Sequence, residues 1–293
     1  MAAIAQPGAI VYLNGEWLPL SEARVSVLDR GFIFGDGVYE VIPSFGGRLF
    51  RPDQHLDRLD RSLAAVKMNN PLARERWRAV LNTLLERNGG GDQSVYLQIT
   101  RGVARRDHVP IEPLTPTVFA MSSPVVRQNR QPVTAIVCED IRWKWCQIKS
   151  IALLANVLMR LEAQERGAYE ALLIRDGFLT EGAASNVFIV KDGVVRTPPH
   201  SKNLLPGITR DLIVELLARN HIPHAETSVS EAELRAADEI FLTSSVREVA
   251  PVVKLDDRPV GKGVPGPVWE SVVSIYEQFR NAEVARAQAG AAA

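Results

Sequence analysis

Four two-residue turns, Asn14-Gly15, Gly46-Gly47, Asp176-Gly177 and Asp192-Gly193, restrict what this chain can fold into more than any other feature. A two-residue hairpin turn needs positive φ, which glycine, asparagine and aspartate tolerate best. Ile10–Leu13 and Glu16–Leu18 flank the first turn and read as paired strands, and the two Asp-Gly turns predict consecutive hairpins in the second half. Ser94–Thr100, Thr117–Met121, Val133–Val137 and Glu239–Thr243 read as further strands. Helical spacing appears between them: Leu56, Leu59, Leu63 and Val66 within Asp53–Met68, then Trp77, Val80, Leu81, Leu84 and Leu85, stopped by Gly89-Gly90-Gly91. Ile151–Arg166, Thr209–Asn220 and Val268–Phe279 read as three more helices, and Ser230 with Glu233 has capping-box spacing before a short one. Gly35-Asp36-Gly37 interrupts Phe32–Val41, which suits a bend beside a ligand.

The 293 residues are enough for two domains at the usual ~150 residues each. The polar run SSPVVRQNRQP is the best connection, giving a smaller domain over 1–122, a linker over 123–132 and a larger domain over 133–293. Basic and acidic residues balance at 34 each with no basic stripe, which argues against nucleic acid as a partner. MAAIAQPGA has neither a charged n-region nor an apolar h-region, and no apolar run reaches a membrane span, so the cytoplasm is the expected location. Cys138 and Cys146 are too few for a disulfide framework, lack metal-ligand spacing and read as buried small hydrophobes. The Ala-rich tail NAEVARAQAGAAA has no apolar periodicity and is expected to fray.

The stretch EDIRWKWCQIKSIALLANVLMR holds a candidate for chemistry. Lys149 has Ile148 before it and Ile151, Leu153 and Leu154 after it. An ammonium among apolar groups loses hydration, which favours the neutral amine that condenses with an aldehyde. A lysine burying its stem and sending its head to water fits the same residues.

This stretch, with LDRGFIFGDGVYEV (28–41), HLDRL (55–59), LTEGAASNVF (179–188), LPGITRD (205–211) and FLTSSVREVAPV (241–252), resembles the fold-type IV pyridoxal-phosphate enzymes. That family holds branched-chain aminotransferases, D-amino-acid aminotransferases and aminodeoxychorismate lyases. The resemblance runs from about Asn14 to Val252. It implies an α+β fold of two domains, a smaller α/β N-terminal one and a larger C-terminal β-barrel-like one with helices, with the active site at the domain and dimer interface. It also implies pyridoxal 5′-phosphate as cofactor and an obligatory homodimer.

By this resemblance Lys149 forms the Schiff base and then serves as general base on the substrate Cα. Glu181 faces the pyridine nitrogen and keeps it protonated; without the motif it would read as an exposed turn residue. Arg58 binds the cofactor phosphate through its planar fork, though a solvated helix arginine looks the same. Ile208 and Thr209 offer the phosphate a helix N-terminus and a hydroxyl; an N-cap threonine would do so as well. Ser244 and Ser245 match a further phosphate-binding pair, and strand-end polarity accounts for them equally.

TRGVARRDHVP separates the branches. D-amino-acid aminotransferases carry an R-x-H pair here that, with a tyrosine of the GDGVYE motif, traps the substrate carboxylate. Arg106, His108 and Tyr39 occupy those positions, Arg105 offers a second register, and a solvated basic loop would read alike. Branched-chain relatives place an arginine two positions after a strand tyrosine; that tyrosine is Tyr96, and Gln98 stands where the arginine would be. The expectation is a ping-pong D-amino-acid transaminase converting D-alanine and 2-oxoglutarate to pyruvate and D-glutamate. A branched-chain L-amino-acid aminotransferase and an aminodeoxychorismate lyase are the alternatives.

Overall fold

The computed structural model describes residues 8–110, 113–126 and 130–289. The chain divides into two compact units, Met1–Val126 with Ile148–Ala152 and Glu283–Ala293, and Arg127–Gln147 with Leu153–Ala282.

The first unit contains β1 (Ile10–Leu13), β2 (Glu16–Pro19), α1 (Arg30–Phe34), β3 (Gly37–Phe45), β4 (Arg48–Leu49), α2 (Pro52–Ala65), α3 (Arg74–Arg87), β5 (Gln93–Thr100) and β6 (Thr117–Pro124). Its strands form one antiparallel sheet in the order β2-β1-β6-β5-β3-β4. Asn14-Gly15 and Gly46-Gly47 supply the turns at φ 51° and 101°, and 57° and 78°. Leu56, Leu59 and Leu63 of α2 and Trp77, Val80, Leu81, Leu84 and Leu85 of α3 pack with Val38, Ile42, Val95, Leu97 and Ile99 of the sheet. Each fully buried side chain of this size contributes about 1.5–3 kcal/mol, so the apolar stripes of the two helices hold them on the sheet.

The second unit contains β7 (Val133–Glu139), α4 (Leu154–Glu165), β8 (Glu170–Arg175), β9 (Phe178–Gly182), β10 (Asn186–Lys191), β11 (Val194–Thr197), α5 (Ile208–Arg219), β12 (His224–Glu226), α6 (Glu231–Arg235), β13 (Glu239–Ser244), β14 (Glu248–Leu255) and β15 (Arg258–Pro259). It also carries most of α7 (Pro267–Ala289). The strand order is β12-β11-β10-β13-β14-β7-β8-β9, with β15 on β14. β7 runs parallel to both its neighbours, the arrangement a helical crossover allows, and α4 makes that crossover to β8. The sheet curls because β9 turns straight into β10, with Gly182 N donating to Ser185 O at 2.7 Å. Ser230 and Glu233 form the expected capping box of α6.

Two helix boundaries differ from expectation for physical reasons. α4 starts at Leu154 rather than Ile151, because Ser150 bridges to Val38 and Ile151 N donates to Gly37 O at 3.1 Å, which holds the segment extended. α7 runs on to Ala289 instead of ending at Phe279; alanine has the highest helix propensity, and an ion pair between Arg286 and Glu283 (2.9 Å) ties the last turns. β6 continues to Pro124, and residues 127–129 of the expected connection lie outside the described residues, as do 1–7 and the end of the tail. Among the described residues no helix is long and apolar enough to cross a membrane.

Candidate active site

In the first unit the lysine segment docks on β3 and α2. Tyr39 N donates to Lys149 O (3.0 Å), and Lys149 N donates to the Ser62 hydroxyl (3.2 Å). Gly37 permits the approach: a Cβ there would sit 2.6 Å from Ile99 O and 3.0 Å from Ile151 Cδ1. Lys149 is half-buried, and its Nζ lies 4.2 Å from the Tyr39 ring centroid, a cation–π geometry. Among the described residues no carboxylate pairs with this amine. Of the apolar neighbours seen in the sequence, Ile148 joins the core, while Leu154 is 72% exposed.

Deeper in the same unit lies a buried charge cluster. Arg58 donates from Nε and Nη2 to the two oxygens of Glu40, each at 2.8 Å, and His55 Nδ1 meets Glu40 Oε2 at 2.8 Å. All three side chains are at most 3% exposed. Burial alone would raise the Glu40 carboxyl, but the Arg58 charge and hydrogen bonds outweigh it and hold the group ionised, far below the usual carboxylate range. Burial depresses His55 below its ordinary value more than Glu40 raises it. α2 brings His55 and Arg58 to one buried face, three residues apart as a helix allows.

Arg106 and His108 sit elsewhere in this unit. Both are exposed, and both face Phe34: the Arg106 guanidinium is 5.5 Å from its ring centroid and the His108 ring 5.5 Å away. Among the described residues no hydrogen bond, ion pair or ring contact links Tyr39 to either. Tyr39 instead lies 5.7 Å from the Tyr96 ring, and directly across the sheet from Gln98.

In the second unit Glu181 is the next-to-last residue of β9, only 5% exposed. It accepts from Asn186 Nδ2 (3.2 Å) and Leu205 N (3.0 Å), and pairs with Arg142. Arg142 also donates to both oxygens of Asp140 at 2.9 Å and to Asn203 O at 3.0 Å. Burial works against the Arg142 charge and the Asp140 charge alike; their mutual hydrogen bonds and attraction prevail, so both stay ionised.

Ile208 and Thr209 open α5, whose N-cap Gly207 places no side chain over the first turn. A Cβ at Gly207 would collide with Asn186 Oδ1 at 1.9 Å, so glycine is needed for this approach. Ser244 ends β13, and its hydroxyl accepts from Arg247 N at 3.2 Å; Ser245 follows, half-buried. The orphan N–H groups of an uncapped helix start suit an anion.

Sequence reasoning passed over Glu40, His55, Asp140 and Arg142. Glu40 lies inside a quoted motif and Arg142 within the lysine stretch, but residue type alone does not tell a buried charge from a solvated one.

The chain matches the amino-transferase class IV family over residues 37–255. It is 40% identical to the D-alanine aminotransferase of Bacillus licheniformis over 279 residues, 94% of this chain and 99% of that one. With the D-alanine aminotransferase of Staphylococcus haemolyticus it shares 39% over 273 residues, 92% of this chain and 97% of that one. Among solved structures it resembles the branched-chain aminotransferase of the thermophilic archaeon Thermoproteus uzoniensis with norvaline, at TM-score 0.85 and 26% identity, covering 92% of this chain and 93% of that one. The protein belongs to the class IV aminotransferases.

Proposed function

We propose that the protein is a cytoplasmic, homodimeric, pyridoxal-phosphate-dependent D-amino-acid transaminase exchanging an amino group between D-alanine and 2-oxoglutarate. The carrying observation is the pair Tyr39 and Gln98. Gln98 stands opposite Tyr39 on neighbouring strands, where the branched-chain pattern calls for an arginine, and its amide oxygen accepts from the Tyr96 hydroxyl at 2.6 Å. Burial, then the neighbouring Tyr39, pushes the Tyr96 phenol up to about 12, so it remains a donor. A neutral amide tied to a neutral phenol supplies none of the positive charge that an arginine at position 98 would bring. Arg106 and His108, in the exposed loop, take that task in this reading. The D-alanine aminotransferases among the relatives favour the same reading.

The side chains present fit pyridoxal phosphate: an amine that no carboxylate pairs with among the described residues, a buried and well-donated carboxylate, and an uncapped helix start. When bound, the cofactor supplies the aldehyde that takes the amino group and the electron sink for the Cα carbanion. Lys149 holds the cofactor and carries the Cα proton. Glu181 keeps the ring nitrogen protonated. Arg58, Ile208, Thr209, Ser244 and Ser245 bind the phosphate. Arg106 pairs with the substrate carboxylate, with Tyr39 and His108 adding hydrogen bonds. α4 displays Leu154, Val157, Leu158 and Leu161, each 47–72% exposed, an apolar face of the kind that a second copy covers in a dimer.

Single half-reactions, followed by the cofactor absorbance, test this. D-Alanine should convert the enzyme and L-leucine should not; the reverse preference would make it a branched-chain enzyme, and pyruvate release from aminodeoxychorismate without an amino acceptor would point to the lyase. Lys149→Ala should abolish turnover, and retained turnover would remove Lys149 from its role.

A further inference from the structure

The loop carrying Arg106 and His108 is exposed from Val103 to Val109 except for the half-buried Ala104, yet it is held at many points. Arg30 N donates to Gly102 O (2.9 Å), Ala104 N to Leu28 O (3.3 Å) and Arg101 N to Asp36 O (3.1 Å). The Arg101 side chain donates to both Asp36 oxygens (2.8 and 3.0 Å) and also to Val66 O and Lys67 O. The closest hold is on the two residues beside and at the gripping positions. Arg30 reaches out from the start of α1, donating from Nη1 to Asp107 O (2.6 Å) and from Nη2 to His108 O (3.0 Å), while its Nε is held by Asp36 at 2.8 Å.

We infer that Arg30, steadied by Asp36 and stacked on Phe34, is a positioning residue that presets the Arg106–His108 loop for a substrate carboxylate. This rests on the reading of that loop given above. Arg30 is 5% exposed, whereas Arg106 is exposed. Its guanidinium lies 4.8 Å from the Phe34 ring centroid, and the same ring receives Arg106 and His108, each at 5.5 Å. One aromatic ring thus fixes the spacing of the buried arginine and both gripping side chains.

The chemistry explains the choice of residue. A loop that must bind an anion cannot spend its own carboxylates on anchoring, because these would neutralise Arg106. Anchoring by backbone carbonyls to a buried guanidinium uses none of the hydrogen-bonding atoms of the gripping side chains. It needs a planar donor fork able to reach two successive carbonyls, which lysine lacks. Asp36 completes the device: burial alone would raise its carboxyl, but Arg101 and Arg30 hold it below the usual carboxylate range, so it stays charged.

The test uses holoenzyme carrying Arg30→Gln, Phe34→Leu or Arg106→Ala. First half-reactions are followed with D-alanine and with D-alaninol, which keeps the amine and replaces the carboxylate by a hydroxymethyl group. The dissociation constant of pyridoxal phosphate is measured by titration. Arg30→Gln should reduce the preference for D-alanine over D-alaninol by about tenfold or more, the cost of a misplaced orienting group. The loss should lie in D-alanine affinity rather than the limiting rate, with cofactor affinity unchanged. Equal loss for both compounds, no loss, or cofactor affinity falling in step would each overturn the inference. If Arg30→Gln yields no soluble enzyme, Phe34→Leu is judged by the same three criteria. Should Arg106→Ala keep the parent preference, the carboxylate role of the loop falls and the inference with it. Should Arg106→Ala lose the preference while Arg30→Gln keeps it, only the inference fails.

Discussion

Arg142 and Arg106 are the same residue in opposite settings. Arg142 is 6% exposed and bound by Asp140, Glu181 and a backbone carbonyl; Arg106 is exposed, with an aromatic ring beside it. Arg58, clasped by Glu40, belongs with Arg142. A buried guanidinium that already has its carboxylates can orient a neighbouring group but cannot follow a ligand that comes and goes. An exposed one can. The permanent parts of the proposed site therefore rest on buried ion pairs, and the part that meets substrate rests on a surface loop whose order comes from beneath. Buried pairs also carry a structural penalty when one member is lost, since the other charge is left without hydration or partner.

That contrast predicts a ranking. Arg142→Leu should have the largest effect, because it strips the guanidinium from two buried carboxylates at once. The expected loss is about 3–5 kcal/mol of folding stability, read by urea unfolding, together with weaker cofactor binding. A loss below ~1 kcal/mol, the scale of an ordinary surface pair, would break the comparison. Arg106→Ala should behave in the opposite way. Its stability change should stay within about 0.5 kcal/mol, as at other surface sites, while the KM for D-alanine rises about tenfold or more, the worth of a charge-assisted contact. A drop in melting temperature with KM unchanged would place Arg106 among the structural arginines.

The difference between these arginines is not written in the sequence, and the reason is long-range placement. Turns such as Asp176-Gly177 follow from local φ preference, and both residues do take φ of 52° and 80°. The stripes Leu56–Leu59–Leu63 and Trp77–Leu81–Leu84 follow from 3.6-residue periodicity and are buried as that pattern requires. The start of α4 escapes a local reading because Ile151, Leu153 and Leu154 continue a helical pattern, while pairing with Val38, far off in the chain, decides the matter. Glu40 meets Arg58 across 18 positions and Arg142 meets Glu181 across 39. No spacing rule reaches that far. The family motifs draw attention to Lys149, Arg58, Glu181 and Tyr39, and only the folded chain sets Lys149 on the Tyr39 ring and supplies Glu40 and Arg142 as companions of the other two.

The smallest expected effect sharpens the comparison from the buried side. His55 contacts Glu40 and feels the positive charges of Arg58 and Lys149. Burial holds it below its ordinary value, so the native state resists protonation that the unfolded chain accepts near pH 6.5. Its contribution to stability is therefore complete above about pH 6.5 and declines as pH falls below it, with a slope of at most ~1.4 kcal/mol per pH unit for one proton. Glu40 has the ordinary carboxylate sign, its folded value lying below the unfolded one. Its stability is lost only further down, as pH falls through the acid range. His55→Gln keeps a donor for Glu40 and cannot titrate, so its melting temperature should fall less than that of the parent between pH 6.5 and about 5. The two profiles should run parallel again only once pH has fallen below the depressed folded value of His55, where the native imidazole also takes up its proton. Parallel profiles across the whole range would mean that His55 is charged in the native state, and the first unit would then hold a salt-bridged triad in place of a neutral imidazole resting on an ion pair.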